Sequence, residues 1–265
     1  MPYTRSDMVL EGGSVSWYRW GSGPGLIVAL HGFGERALSF APWGEALPEG
    51  FSLFAPDLPF HGDSHWKENT PFTPDQLRTL IHKMTGSEDP FILCGYSMGG
   101  RLCLSFAQAF PREVSRLVLL APDGLKVNFW YWLSTQTAWG NRLFRYTMEH
   151  PDLFLKTVHL LGKRLLLNQG IVKYIQRYLG EDARRQDLYR IWTCMRAFRP
   201  DLDAVRSHHI PTRLVFGRYD RIIQPSQGYR FQKKAGEDCA VTELPTGHQL
   251  LASPFAETCL RVATA

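Results

Sequence analysis

The sequence predicts an α/β fold in which helices cover both faces of a mostly parallel β-sheet. Short apolar runs of strand length alternate along the chain with helix-like segments, and continuous apolar strands are typical of parallel sheets buried on both faces. A Gly-x-Ser-x-Gly pentapeptide at residues 95–99 lies directly between such a strand and a predicted helix. The 265 residues, with an apolar content of 44%, suffice for one large domain and an insertion.

The elements begin with an antiparallel hairpin, Met8–Leu10 and Val15–Trp20, around a turn at residues 11–14. Six further runs are predicted as strands of the parallel sheet: Leu26–Leu30, Phe51–Ala55, Phe91–Cys94, Leu117–Ala121, Arg213–Gly217 and Ala240–Leu244. Five segments are predicted as helices: Leu38–Leu47, Pro74–Met84, Met98–Phe110, Gln224–Lys234 and Gln249–Val262. Because such sheets bind ligands beyond the carboxyl ends of their strands, we expect functional residues in the loops that follow them.

The segment of residues 125–206 breaks this alternation. It lacks clear strand patterns and has the character of several helices, with an aromatic run at residues 129–133 near its start. Since it lies between the fourth and fifth parallel strands, we predict a helical cap over the mouth of the site, inserted into a core of residues 1–124 and 207–265. The aromatic run favours packing between cap and core, and the alternative is substrate contact through Trp130.

The net charge of +5 is unevenly distributed along the chain. Residues 125–206 contain 14 Lys and Arg against 7 Asp and Glu, a balance of +7, whereas the remainder has 16 against 18, a balance of −2. Scattered basic residues on helices usually form a solvated surface, and the alternative is attraction of an anionic small-molecule substrate. No basic run with interleaved aromatic residues suggests nucleic acid.

The cysteines and the apolar runs bear on the cellular compartment. Five cysteines without a Cys-x-x-Cys pair predict reduced thiols rather than a disulfide framework. The first ten residues include Arg5 and Asp7 instead of a secretory signal, and no apolar stretch approaches the roughly 18 residues that span a bilayer. We therefore expect a soluble cytoplasmic protein without a membrane span; the oligomeric state is left open.

Ser97 is the candidate nucleophile. It follows the strand Phe91–Cys94 in a pattern typical of a nucleophile elbow, a turn so tight that the serine hydroxyl stands above the sheet. Gly95 and Gly99 are needed because side chains there would collide with the neighbouring strand and helix. A serine hydroxyl is a poor nucleophile at neutral pH, so a base must lie within hydrogen-bond reach.

His248 is the candidate base because it occupies the loop after the last predicted strand. A carboxylate must orient its imidazole, and in this fold the expected chain order is serine, acid, histidine. Asp220, in the turn after Arg213–Gly217, is the favoured acid. Asp123, after the strand that precedes the predicted cap, is the reserve.

Attack on a carbonyl creates an oxyanion that needs two preorganised N–H donors. The sequence indicates the amide of Met98, at the start of the helix after Ser97, and the amide of Phe33, in a glycine-containing loop after Leu26–Leu30. His31 is interpreted as structural, holding that loop by hydrogen bonds. The turn-rich loop at residues 57–64 is interpreted as a rigid floor of the site. The chemistry needs no cofactor and no metal.

Together these segments resemble the α/β-hydrolase superfamily over essentially the whole chain. The resemblance implies the α/β-hydrolase fold with an inserted cap and a serine hydrolase of esterase type. The segment of residues 95–101 is similar to the elbow of the menaquinone-pathway lyase that makes succinyl-hydroxycyclohexadiene carboxylate. That resemblance implies elimination of pyruvate, with Arg101 binding the anionic substrate. Tyr96 is a further candidate for substrate contact.

Other reactions stay open at this point. Carbon–carbon bond hydrolases of aromatic degradation share the sequence from Ser97 to Gly100, but their elbow normally has asparagine where Tyr96 stands. A binding protein without catalysis is a third class, which a complete triad disfavours. Hydrolysis of a small ester-like substrate is the leading hypothesis.

Overall fold

A computed structural model describes residues 2–126, 129–151 and 182–265. Its strands are Tyr3–Leu10 (β1), Gly13–Gly21 (β2), Gly25–Leu30 (β3), Phe51–Pro56 (β4), His65–Trp66 (β5), Phe91–Tyr96 (β6), Val114–Leu120 (β7), Thr212–Gly217 (β8) and Cys239–Leu244 (β9). They form one sheet in the order β1-β2-β4-β3-β6-β7-β8-β9, with β5 paired to β2. Strand β2 is antiparallel to its partners, and the strands from β4 to β9 along this order run parallel, which confirms the predicted fold class.

The α-helices in the described ranges are Ala41–Glu45 (α1), Pro74–Thr85 (α2), Met98–Ala109 (α3), Phe129–Gln136 (α4), Ala138–Glu149 (α5), Asp182–Cys194 (α6), Leu202–Ser207 (α7), Pro225–Ala235 (α8) and Phe255–Thr264 (α9). None of these is both long and apolar enough to cross a bilayer. The six predicted parallel strands are confirmed to within a few residues at their ends, and the hairpin is confirmed with its first strand beginning at Tyr3 instead of Met8.

Two predicted helices differ from the structure. The segment Leu38–Leu47 is a 3₁₀ turn, Ala37–Phe40, followed by α1, because Pro42 has no N–H for a continuous helix and fits the first turn of a new one. The segment Gln249–Val262 becomes helical only at Phe255, since the residue before Pro254 is disfavoured in the helical conformation.

One strand was missed, and the helices of residues 125–206 were predicted without bounds. Strand β5 has two residues, too few for any alternation of apolar and polar positions. It is held as a strand by antiparallel pairing with Gly13 and Ser14 of β2, a contact between distant parts of the sequence. Helix α7 falls inside the segment that we predicted as cap, and Asp201 caps it by accepting hydrogen bonds from two of its first amides.

The chain divides into two compact units. The first comprises Met1–Lys67, Phe72–Lys126 and Ala197–Ala265 and contains the whole sheet. The second comprises Glu68–Pro71 and Val127–Arg196, of which the described part contains α4, α5 and α6. The role of residues 125–206 as a cap remains a prediction.

The core of the first unit lies around the middle strands. The last four residues of β3 and of β7 are fully buried, and the first ten residues of α3 are buried against the sheet. All five cysteines are buried and free, as expected for reduced thiols. This packing fixes the carboxyl ends of the middle strands, from which the candidate site is built.

Candidate active site

Ser97 occupies a strained turn between β6 and α3. Its backbone angles are φ 50° and ψ −113°, a combination that a residue with a side chain rarely adopts. A Cβ atom at Gly99 would lie 2.1 Å from the carbonyl oxygen of Leu30, and one at Gly95 would lie 2.6 Å from Cys103 Sγ. Glycine is therefore required on both sides of Ser97, for the reason that the sequence pattern indicated.

Backbone hydrogen bonds hold the elbow to the neighbouring strand. The Ser97 amide donates to the carbonyl of Leu120 at the end of β7, over 2.9 Å. The Ser97 carbonyl accepts from the amide of Asp123 at 2.8 Å and from that of Gly100 at 2.9 Å. These contacts oppose relaxation of the strained turn and so keep the hydroxyl in place.

His248 joins Ser97 to Asp220. Its Nε2 atom is 3.1 Å from Ser97 Oγ, and its Nδ1 atom is 2.7 Å from Asp220 Oδ2. Because a carboxylate only accepts, Nδ1 carries the proton and Nε2 is left as an acceptor facing the serine hydroxyl. This is the geometry that general-base activation of a serine requires.

Asp220 is held for that contact by its own loop. Its side chain is fully buried, and Oδ1 accepts from the amides of Ile222 and Ile223 at 2.7 and 3.0 Å. Oδ2 is thereby directed to His248. The buried carboxylate orients the imidazole and would stabilise its protonated form.

Asp123, the reserve acid, faces elsewhere. Its Oδ2 lies 3.5 Å from Nη1 of Arg101, and its Oδ1 accepts from the amide of Gly124 at 2.8 Å. The Asp123 side chain is 39% exposed, whereas that of Arg101 is 7% exposed. The structure thus brings Asp220, and not Asp123, to His248, and it places the candidate substrate ligand Arg101 in an ion pair.

The loop after β3 lies against Ser97, the candidate nucleophile, as expected for an oxyanion loop. A Cβ atom at Gly32 would lie 3.2 Å from Ser97 Cβ, so Gly32 lies close to Ser97. Phe33, whose amide is a predicted donor, is the next residue of the chain. Met98 is the first residue of α3, and amides of a first helical turn have no partner within the helix. Both predicted donors therefore belong to segments adjoining Ser97.

His31 holds the loop after β3 in place by hydrogen bonds. It is fully buried, its Nδ1 lies 2.8 Å from the carbonyl of Gly32, and its Nε2 accepts from the amide of Leu58 at 2.9 Å. Burial, and next the charge of His61, hold the pKa of His31 well below its ordinary value. His31 is thus a neutral structural imidazole, the part that we predicted for it.

His61 makes a second, similar link. Its Nε2 accepts from the amide of Gly34 at 3.3 Å, and its Nδ1 lies 3.0 Å from the carbonyl of Pro59. Its ring is 4.9 Å from that of His31. Two adjacent imidazoles therefore tie both ends of the loop around Phe33 to the turn-rich loop at residues 57–64.

Asp57 organises that turn-rich loop. Its carboxylate, on a fully buried residue, accepts from the amide of Ala37 at 2.6 Å and from that of Asp63 at 2.9 Å. The hydroxyl of Ser64 donates to the Asp57 carbonyl at 2.7 Å. The interpretation of residues 57–64 as a rigid floor agrees with these bonds.

Two contacts at the site were not predicted. The hydroxyl of Tyr96 donates to the carbonyl of His248 at 3.2 Å and so supports the histidine loop, while its contact with substrate stays a prediction. Gln249 donates to Glu35 at 3.1 Å, and Glu35 also accepts from Ser39 at 2.6 Å. These bonds connect the histidine loop to the loop after β3.

The remaining candidate, Trp130, lies in α4, but its side chain is outside the described residues. Over the described ranges, there is no group of three or more His, Cys, Asp or Glu side chains with the arrangement of a metal site.

Comparison with known proteins decides the family. The sequence profile of the Alpha/beta hydrolase family matches residues 27–265. The chain belongs to the α/β-hydrolase family. The nucleophile elbow, the order of serine, acid and histidine along the chain, and the position of each after a sheet strand all agree with this membership.

Individual relatives of this α/β hydrolase are distant. It is 35% identical over 101 residues to a pimeloyl-[acyl-carrier protein] methyl ester esterase of Stenotrophomonas maltophilia, an alignment covering 38% of this chain and 37% of that protein. It is 25% identical over 257 residues to the uncharacterized hydrolase YugF of Bacillus subtilis, covering 88% and 87% of the two chains. A thermophilic esterase from Thermogutta terrifontis superposes with a TM-score of 0.68 at 18% identity, over 98% of this chain and 96% of that one, which shows the fold alone.

None of these three relatives is named as a lyase of the menaquinone pathway. The resemblance of residues 95–101 to that family remains a prediction about the elbow only. The membership shown by the comparisons is that of the α/β hydrolases as a whole.

Proposed function

We propose that this α/β hydrolase is a cofactor-independent serine hydrolase that cleaves a small ester-like substrate. The observation that carries the proposal is the 3.1 Å contact between His248 Nε2 and Ser97 Oγ, with Asp220 buried behind the imidazole at 2.7 Å. A hydroxyl in hydrogen-bond reach of an oriented neutral imidazole is an activated nucleophile.

In the first half of the reaction, Ser97 Oγ attacks the ester carbonyl carbon while His248 Nε2 takes the hydroxyl proton. The resulting oxyanion accepts hydrogen bonds from the amides of Met98 and Phe33. The intermediate collapses when His248 returns the proton to the leaving oxygen. An alcohol departs, and the acyl group stays on Ser97 as an ester.

In the second half, His248 deprotonates a water molecule that attacks the acyl carbon. The oxyanion forms again in the same place, and the proton then passes from His248 back to Ser97 Oγ. The carboxylic acid leaves and the free enzyme is restored. Asp220 stays ionised throughout and stabilises the imidazolium in both halves.

Two observations favour hydrolysis over elimination. The Stenotrophomonas maltophilia relative named above is a methyl ester esterase. Arg101, the residue that would bind an anionic substrate in the lyase reaction, lies beside the carboxylate of Asp123, which balances its charge. We therefore place an ester, rather than a substrate with a leaving pyruvate, at Ser97.

Hydrolysis of p-nitrophenyl esters of graded acyl length tests the proposal. On the ester whose acyl-enzyme is hydrolysed most slowly, we expect the wild-type protein to release a burst of p-nitrophenol equal to the enzyme concentration. We expect Ser97→Ala to lose about 10⁴-fold in activity. Ser105→Ala is the matched control, because that buried serine is in the same helix and its hydroxyl has no hydrogen-bond partner among the residues that the structure describes. Equal activity of the two variants would refute the proposal.

A further inference from the structure

Helix α5 carries apolar side chains on two opposite faces. Gly140, Phe144 and Met148 are spaced by four residues and form the packed face, where the Phe144 ring lies 5.6 Å from that of Tyr189 and 5.5 Å from that of Trp192 in α6. A surface helix normally has one apolar side, directed at its core. In α5, the face with Gly140, Phe144 and Met148 is this core-directed apolar side.

The second face points away from these partners. Trp139, Leu143 and Tyr146 recur at spacings of four and three residues, which places them in one stripe roughly opposite Phe144 on the helix. Their exposed fractions are 62%, 54% and 53%. Large apolar side chains are exposed here on a regular helical face, not scattered singly.

Helix α4 contacts α5 and also exposes large aromatic side chains. Phe129 and Trp132 are 59% and 40% exposed, and their rings stack with centroids 6.1 Å apart. We name the following five residues the α4–α5 apolar patch: Phe129, Trp132, Trp139, Leu143 and Tyr146. They are half of the ten exposed large hydrophobic residues in the described part of the chain, although they fall within 18 consecutive positions. Such clustering marks an interaction surface.

Helix α5 carries more positive than negative charge. Arg142 and Arg145 are exposed on α5 beside the stripe, and Glu149 is the one acidic residue in the sequence of this helix. The Arg145–Glu149 pair is 4.0 Å apart with both side chains more than half exposed, so water and salt screen it. In the sequence, residues 125–206 have the excess of basic residues noted above.

We propose that the α4–α5 apolar patch docks on a lipid surface that carries anionic head groups. Tryptophan and tyrosine favour the boundary between hydrocarbon and water, and leucine adds buried apolar area. Arginine beside them binds phosphate head groups and neutralises their charge. An aromatic stripe flanked by arginines on one helical face is the composition of an interfacial helix lying in the plane of the membrane.

Docking through the second unit does not depend on the reaction at Ser97. It places the protein against a membrane surface and does not require any helix to span it. Its chemical components are separable: the stripe supplies the apolar contact, and the two arginines supply the preference for anionic lipid.

Flotation of the full chain with lipid vesicles tests the proposal. One set of vesicles contains phosphatidylcholine alone and the other contains added phosphatidylglycerol. We expect the protein to float with the anionic vesicles. Leu143→Glu should weaken the partition by about tenfold, since a charge replaces a leucine that would enter the lipid surface. Val9→Glu is the matched control, because Val9 is 80% exposed on β1 in the first unit.

The double variant Arg142→Gln/Arg145→Gln tests the electrostatic component. We expect it to lose about tenfold in binding to the anionic vesicles and little in binding to phosphatidylcholine. Circular dichroism and activity on a soluble ester establish that each variant is folded, and solution mass is measured in parallel. No flotation, equal losses in Leu143→Glu and Val9→Glu, or a change of oligomeric mass in Leu143→Glu alone would overturn the proposal; the last outcome would make the patch a contact between copies of this chain.

Discussion

At the scale of single residues, Asp220 and Asp123 follow neighbouring strands and yet have different surroundings. Asp220 is buried and receives two backbone amides on one oxygen, which leaves the other for His248. Asp123 is partly exposed and lies beside Arg101. Location after a strand is common to both, so it is the hydrogen bonds around each carboxylate that separate them.

Asp220→Asn is expected to reduce kcat by roughly 10³–10⁴-fold, because an amide can donate to Nδ1 and so favours the wrong imidazole tautomer. Asp123→Asn has nearly the same size and charge change and should lose less than about tenfold, since it does not contact His248. Steady-state kinetics on one p-nitrophenyl ester checks both. Similar losses in the two variants would contradict the assignment of the acid.

His31 makes the stability of the protein dependent on pH. Burial lowers its pKa in the folded state, so the unfolded chain, with a pKa near the ordinary 6.5, binds the proton more readily. Stability is therefore retained above about pH 6.5 and is lost as the pH falls from there toward the lowered folded value, by up to about 1.4 kcal/mol per pH unit. Urea unfolding between pH 7.5 and about 5 measures this slope.

A variant pair isolates the contribution of His31. His31→Gln should be less stable at neutral pH but should show a flatter slope below about pH 6.5. His65→Gln, at an exposed histidine of the same unit, should keep the wild-type slope. If both variants show the wild-type slope, His31 is not the group that binds the proton on unfolding.

At the scale of elements, the turn from β6 to α3 combines strain with close packing. Ser97 has a positive φ, and Gly99 brings the start of α3 against the backbone of β3. A Cβ atom at Gly99 would meet the carbonyl oxygen of Leu30, and this backbone atom cannot move aside as a flexible side chain would. The elbow therefore depends on the absence of a side chain more than on any single bond.

Gly99→Ala is expected to destabilise the fold by at least about 3 kcal/mol and to remove activity, because the new methyl group forces β3 and α3 apart. Gly86→Ala is the comparison: Gly86 ends α2 at φ 65° with open space around it, so only backbone strain of about 1 kcal/mol is added. The free energy of unfolding in urea measures both. Equal losses would contradict the clash.

The elements also show how far a sequence alone predicts this fold. Apolar runs predicted the six parallel strands because strands buried on both faces leave a continuous signal. The ends of helices were predicted less accurately. Helices begin next to Pro42 and Pro254 within segments that the apolar periodicity predicted as single helices. Strand β5 arises from pairing with distant β2 and has no local signal at all.

At the scale of the whole molecule, the site is assembled from segments remote in sequence. Ser97, Asp220 and His248 each follow a parallel strand, so the sheet brings them to one edge, and this is why their chain order predicted them as a set. The supporting bonds could not be predicted in this way. Tyr96 meets His248 across 152 positions and Gln249 meets Glu35 across 214, and such pairings leave no periodic pattern.

The central claim is that His248 activates Ser97 as a nucleophile, and a fluorophosphonate probe tests it most directly. Intact-mass spectrometry should show one adduct per chain, and peptide mapping should place it on Ser97. His248→Ala should slow the labelling by orders of magnitude, whereas Ser105→Ala should label like the wild type. A protein that keeps its unmodified mass after prolonged exposure, or one that is modified elsewhere while Ser97 stays free, would contradict the account.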